Sequence, residues 1–220
     1  MFKWNFLKSK ELNLSNIDFS SIKIDLHSHL IPAIDDGAED LGKSIEIIKI
    51  LQQLGFKKLI TTPHVMSDFY KNTPETILKG LKTLRQELKL QNINIQIDAA
   101  AEYYVDYEFE QNIGKEKFLV FGDNYILIEL SFFEVPKNLN DIIFKLQLEG
   151  YKLVLAHPAR YQYLSLKDYE GLIDRGVLFQ LNFLSMLGYY SNEVKNNAEM
   201  LIKKEMISFV GTDCHNMNHA

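Results

Sequence analysis

In the stretch IDLHSHLIPAIDDGAED, residues 24 to 40, two histidines and five carboxylates follow the start of an apolar strand. His27 and His29 stand two residues apart. On an extended chain that spacing points both imidazoles the same way, where they can grip one cation. The same residue types return much later in the chain: His64 after KKLITTP, Glu102 after INIQIDAAA, Glu129 in NYILIELS, His157 after YKLVLA, then Asp213 and His215 in GTDCHN. Neutral imidazole with carboxylate suits Mn, Fe or Zn, and a single cysteine argues against a structural zinc site. Five histidines and at least four carboxylates exceed the needs of one ion. Two or three cations sharing bridging carboxylates is the economical reading, since unpaired buried acids repel one another. Taken singly, each of these residues has an ordinary structural reading, such as a hydrogen-bonded histidine at a strand end; the set is what points to metal. Glu39 and Asp40 suit a helix N-terminus and are not counted as ligands. His219 lies outside the pattern and is expected to be a solvated terminal residue.

The elements that must position these groups alternate between short apolar strands and amphipathic helices. Residues 22–27 read as the first strand. Helix 40–54 follows, with Leu41, Ile45, Ile48, Leu51 and Leu54 on one face, Asp40 as N-cap and Gly55 as stop. KKLITTPH is the second strand. Thr73 then caps a helix with Pro74 and Glu75 in its first turn, running to about residue 90. Thr76 stands where a capping box would want an acid or amide, so that signal is incomplete. INIQIDAAAE and NYILIELS are the third and fourth strands, with 103–122 irregular or partly helical. Helices near 137–149, 167–175 and 191–204 lead in turn into the strands YKLVLAH, VLFQLN and MISFVGTD. Seven strands separated mostly by helices imply right-handed crossovers and a mostly parallel sheet. Periodicity does not choose between a barrel and an open doubly wound sheet. In a barrel of parallel strands, however, all carboxyl ends lie on one face, so residues scattered over nearly the whole chain would converge.

Composition narrows the partners. The 220 residues are 46% apolar, which suits one domain with a sizeable core, and a net charge of −5 disfavours nucleic acid. Lysine outnumbers arginine 21 to 3, so each arginine asks what a planar fork does there. The lone Cys214 fits a reducing compartment, and the expected location is cytoplasmic. No apolar run reaches the roughly 18–20 residues that span a bilayer, and the N-terminus does not read as a signal peptide. Phe2, Trp4, Phe6 and Leu7 among Lys3, Lys8 and Lys10 are expected to fold against the outside of the domain rather than touch a membrane.

The motifs DLHSHLIPAIDDGA, TTPH, AAEYY, LIEL, AHPARY and GTDCHN, in this order, resemble the polymerase and histidinol phosphatase (PHP) superfamily. Within it they are similar to the bacterial capsule- and exopolysaccharide-type protein-tyrosine phosphatases. HSHLIPAIDDGA and AHPARY are the most specific of them; the bare Asp-x-His-x-His pattern is shared more widely. The resemblance implies a distorted (β/α)7 barrel over residues 22–220, with 1–21 an N-terminal extension. It also implies a centre of two or three ions, manganese first, with Fe, Co, Zn or Mg as alternatives. By motif, His27, His29, Glu102 and Asp213 would hold one ion. Glu102 would bridge to a second held by Glu129 and His157, and Asp36, His64 and His215 would hold the third. Asp25 would orient a ligand or face the barrel interior. The family pattern continues beyond Asp-x-His-Asn through a further arginine and a closing helix. Here Met217, Asn218 and His219 stand at those positions, so the domain is expected to lack that last helix or to use His219 in place of the cation.

The activity so implied is phosphomonoester hydrolysis on phosphotyrosine of a bacterial tyrosine kinase tail that controls polysaccharide export. A water shared by two ions roughly 3.5–4 Å apart becomes a hydroxide near neutral pH and attacks in line. Arg160, three residues beyond His157, is placed to bind phosphate bidentately, and Asp36 and His64 are grouped with it as catalytic. A tyrosyl leaving group, of pKa about 10, departs with little general-acid help, and no proton donor is assigned. The cysteine-dependent mechanism needs an arginine downstream of its cysteine, and none follows Cys214. The aromatic group Tyr103, Tyr104, Tyr107 and Phe109 either borders a phosphotyrosine groove or packs a loop. Two alternatives share the centre: a small-molecule phosphatase of histidinol-phosphate type, and a catalytically silent metal-binding module. The sequence is compatible with an oligomer.

Overall fold

Parallel pairing joins every neighbouring strand of the fold. The computed structural model describes residues 19–220, so the aromatic and lysine residues between Phe2 and Lys10 lie outside the described residues. In chain order the strands are β1 (Ile24–Asp25), β2 (Lys58–Thr61), β3 (His64–Val65), β4 (Gln96–Ala99), β5 (Glu102–Tyr104), β6 (Tyr125–Glu129), β7 (Lys152–Ala156), β8 (Leu178–Asn182) and β9 (Phe209–Gly211). The helices are α1 (Leu41–Gln53), α2 (Pro74–Leu90), α3 (Tyr107–Asn112), α4 (Leu139–Leu148), α5 (Leu166–Asp174), α6 (Phe183–Leu187) and α7 (Asn192–Lys203), with a 3₁₀ turn at Pro158–Arg160.

Nine strands replace the seven expected because two of them are interrupted. KKLITTPH breaks at Thr62–Pro63, where proline lacks a ladder donor, and INIQIDAAAE breaks at Ala100–Ala101. The halves before the breaks form one sheet, β1-β2-β4, and the halves after them join the other, β3-β5-β6-β7-β8-β9. Hydrogen bonds bridge the breaks, from Ala100 N to Thr61 O (2.9 Å) and from Glu102 N to Pro63 O (3.1 Å). Beyond β1 and β9, Asp213 N donates to His27 O (2.7 Å) and His29 N to Cys214 O (2.9 Å).

Alternation along the strands divides the interior. Leu153 and Leu155 of β7, and Ile126 and Ile128 of β6, belong to the large core shared with the helices. Val154, Ala156 and Leu127, with Ile60, Ala100 and Phe121, form a smaller cluster on the other face. Strands buried on both faces read as continuous apolar runs, which is what the sequence shows. The helices supply the cover. Ile45, Ile48 and Leu51 of α1 are fully buried or nearly so, each stabilising by about 1.5–3 kcal/mol. Asp40 caps α1 by accepting from Lys43 N. The capping box expected to be incomplete at α2 is complete: the Thr76 hydroxyl accepts from Thr73 N at 2.9 Å, as an acid would. The five-residue α6 has no counterpart in the sequence reading, being too short to show a period. No described helix is long and apolar enough to cross a membrane.

Candidate metal centre

His27 and His29 follow β1, His64 opens β3, Glu102 opens β5, Glu129 ends β6, His157 follows β7, and Asp213 and His215 follow β9. His64 and Glu102 begin the half-strands after the two breaks instead of ending their strands as expected, because KKLITTPH and INIQIDAAAE are interrupted just before them. All nine residues singled out from sequence, Asp36 included, nevertheless come together. Their ligand atoms fall into three groups: His27, His29, Glu102 and Asp213; His64, Glu102 and Glu129; and His29, Asp36, His64 and His215, each group within 4.8 Å. His157 joins the second group through Nε2, 3.0 Å from Glu102 Oε1 and 3.5 Å from Glu129 Oε1. The three groups overlap, because His64 also faces Glu102 and Glu129, and His29 also faces the Asp36 group.

Local backbone geometry aims some of these groups. Leu153 and Leu155 face the helix-side core, so strict alternation would send His157 there too. A left-handed backbone, φ 35°, breaks the alternation at His157, and Asp213 is likewise left-handed at φ 55°. Such strain on non-glycine residues collects at functional sites.

A chain of acceptors fixes the imidazoles. His27 Nδ1 donates to Gln180 Oε1 (2.8 Å), His29 Nδ1 to Asp35 Oδ2 (2.8 Å) and His215 Nδ1 to the Asp213 carbonyl (2.8 Å). Each partner oxygen only accepts, so each Nδ1 carries the hydrogen and each Nε2 presents a lone pair inward. The Nε2 atoms of His27 and His29 face one another at 3.2 Å, with Asp213 Oδ1 3.3 and 3.4 Å away. His64 Nδ1 is buried 3.3 Å from Glu102 Oε2 yet makes no hydrogen bond. Lone pairs and carboxylates converging on the same points call for cations, so the residues present fit a metal centre.

The electrostatics agree. Burial and the neighbouring Glu102 push the Glu129 carboxyl well up, whereas Glu102 is held well down by His27 and His64 despite its burial. The pair resists carrying two negative charges without a positive partner. Against the cost of burial, Glu102 and Asp213 raise His27, and Asp35 with Asp213 raises His29 well above its ordinary value. Without an ion, protons take its role there. Burial and the Arg160 charge lower His157 to about 4, and His215 and His64 hold Asp36 at about 2 although burial opposes it.

The centre floors a cleft of about 540 Å³ whose walls include Arg160, Tyr104, Tyr190, His219 and the exposed rings of Phe69, Phe132 and Phe133.

The sequence model for "Capsular polysaccharide synthesis, CpsB/CapC" matches residues 23–220. The chain belongs to the CpsB/CapC family. Among its relatives, tyrosine-protein phosphatase YwqE of Bacillus subtilis is 33% identical over 197 residues, covering 88% of this chain and 78% of the relative. Tyrosine-protein phosphatase CpsB of Streptococcus pneumoniae is 24% identical over 203 residues, covering 89% and 84%. A chain from the crystal structures of YwqE and CpsB, described there as metal-dependent tyrosine phosphatases, superposes with a TM-score of 0.83 at 32% identity, covering 89% of this chain and 81% of that one. The histidinol phosphate phosphatase of Lactococcus lactis shares the fold alone, with a TM-score of 0.55 and 15% identity over 88% and 86% of the chains.

Within this CpsB/CapC chain several residues act that sequence reasoning passed over. Asp35, beside Asp36, accepts from His29 and from the backbone N of His64 (3.1 Å). Gln180 donates to Asn182 (3.0 Å), which donates to Asp213 Oδ2 (2.6 Å). Their signal was present: two amides at alternate positions of the apolar strand VLFQLN. Asp25 accepts from Thr212 N and Oγ1 and from His27 N, so it anchors backbone rather than an imidazole; burial raises it to about 6. Of the two readings of the aromatic group, loop packing holds for Tyr103 and Phe109, while the expectation of a solvated His219 is corrected. Tyr103 and Phe109 are buried and packed with Phe118, leaving Tyr104 as that group's contribution to the cleft. His219 is half-buried against Tyr189 (3.2 Å) and lines the cleft instead of standing in solvent. Cys214 is buried, with its thiol donating to Asn216 O, away from any nucleophilic role.

Proposed function

We propose that this chain is a metal-dependent protein-tyrosine phosphatase whose substrate is the phosphotyrosine tail of a bacterial tyrosine kinase controlling capsular or exopolysaccharide synthesis. The convergence of nine imidazole and carboxylate groups beneath an aromatic-rimmed cleft carries the reading. On this reading His27, His29, Asp36, His64, Glu102, Glu129, His157, Asp213 and His215 hold the ions, manganese first among candidates. Bound there, divalent cations would neutralise phosphoryl charge and lower the pKa of the attacking water. The rest falls to the protein. Arg160 binds phosphoryl oxygens from the cleft wall. Phe69, Phe132, Phe133 and Tyr190 receive the phenol ring and the flanking peptide, and this rim favours an aryl ester over a small polar one. A phenolate leaves readily, so the absence of an evident proton donor is no obstacle.

The same reading takes residues 22–220 as the catalytic domain and the two sheets as one distorted seven-stranded barrel. The bonded breaks at Thr61–Glu102 and the links between His27, His29 and the residues after β9 support it. A cytoplasmic location follows from the proposed substrate and the lone buried thiol. Hydrolysis of p-nitrophenyl phosphate and of a phosphotyrosyl peptide, abolished by chelation and restored by manganese, is the expected result. Metal-loaded protein that turns over neither would end the proposal, and faster turnover of histidinol phosphate would shift it to a small-molecule phosphatase.

A further inference from the structure

Arg160 stands among carboxylates yet gives them little. Its side chain makes one hydrogen bond among the described residues, Nη1 to Asp213 Oδ2 at 3.3 Å. A free guanidinium beside Asp213 and Glu129 would turn its fork bidentate onto one of them. Two features prevent this. Asp213 Oδ2 already accepts from Asn182 Nδ2 (2.6 Å) and from the Tyr190 hydroxyl (3.4 Å). Two aromatic rings also flank the guanidinium, with the centroids of Phe132 and Tyr190 each 4.5 Å from Cζ. Rings this close to Cζ narrow the directions left open to its N–H groups. One edge meets Asp213, and the remaining N–H groups are uncommitted in the wall of the cleft. The rings are themselves held: Phe132 stacks on His157 (5.8 Å, 24°) and on Tyr161 (5.5 Å, 27°), and Tyr190 meets Tyr189 edge-on at 5.3 Å.

We propose that Phe132 and Tyr190 are positioning residues that hold the Arg160 guanidinium as a preset fork for the substrate's phosphoryl oxygens. The proposal rests on the phosphatase reading and adds the device that keeps its arginine from collapsing onto the centre's own acids.

The test is a double-mutant cycle on the metal-loaded full chain, read by calorimetric binding of inorganic phosphate and by KM and kcat for p-nitrophenyl phosphate. Phe132→Leu and Tyr190→Leu should each weaken phosphate binding and raise KM about tenfold, with kcat changing less and metal content equal to the parent's. Phe132→Tyr and Tyr190→Phe should recover most of the loss. In an Arg160→Ala background the leucine substitutions should add nothing to the loss of phosphate binding, which is the readout that decides because the two rings also meet the phenol of the ester. Equal losses with and without Arg160, or leucine variants that bind phosphate as the parent does, overturn the proposal. A Tyr190→Phe variant as weak as Tyr190→Leu overturns it for Tyr190, because the hydroxyl on Asp213 would then be responsible. A parent that binds phosphate but hydrolyses no ester sinks the phosphatase reading, and the phosphate affinities still decide on the two rings.

Discussion

Asp35 shows how much of the centre depends on a residue that touches no other carboxylate of the cluster. Its Oδ2 accepts from His29 Nδ1 and from His64 N, and its Oδ1 accepts from Gly37 N (2.9 Å). Asp35→Asn would replace a charged acceptor with an amide and loosen two ligand-bearing segments together. Metal affinity should fall about 10–100-fold in competition with a chelating dye, and an unchanged affinity would remove Asp35 from this role. Protons compete for the same site. His27 and His29 are raised in the metal-free protein, so their contribution to its stability is fully present below an unfolded pKa of about 6.5 and is lost as pH rises through the raised values. An ion must displace those protons, so Mn²⁺ should bind more tightly at about pH 8 than at about pH 6, with proton release seen by calorimetry in two buffers. Equal affinity at both would refute it.

At the scale of elements, close approach rather than propensity sets the tolerances. A Cβ on Gly211 of β9 would lie 2.7 Å from His27 Cβ and 2.9 Å from Gln180 Nε2. Gly211→Ala should therefore push β9 from the residues after β1 and cost about 1–3 kcal/mol in denaturant unfolding, with weakened metal binding alongside. Asp40→Ala is the contrasting case. Asp40 caps α1 and faces no ligand group, so the change should cost about 1 kcal/mol and leave metal content intact. Loss of metal in Asp40→Ala would mean that the helix start itself holds the Asp35–Asp36 turn in place.

For the whole molecule, the centre should act as a clasp between distant parts of the chain. Its groups come from segments after or within β1, β3, β5, β6, β7 and β9, so an ion joins residues almost two hundred positions apart. At free metal about 100 times the dissociation constant, binding stabilises the fold by about 2.7 kcal/mol. For a chain of this size that is about 5–11 °C in melting temperature. Scanning calorimetry before and after chelation should show the loss and its recovery; identical transitions would separate the centre from folding.

Much of this was legible one residue at a time. The His-x-His pair, the positions of Glu129, His157 and Asp213 at or just beyond strand ends, and the caps at Asp40 and Thr73 are local features, set by periods of two and 3.6 and by the chemistry of each side chain. What sequence could not supply was geometry between distant residues. The breaks at Thr62–Pro63 and Ala100–Ala101, the left-handed turn that brings His157 to the site, and the Phe132 and Tyr190 rings against Arg160 all depend on neighbours far away in the chain. So does the difference between Asp35, which accepts from His29 and His64, and Asp36, which faces the His64 and His215 rings: the two are chemically alike and adjacent, and only the folded surroundings distinguish them. Side-chain type decides what a residue is able to bind, whereas packing across the strands decides which partner is within 3 Å of it.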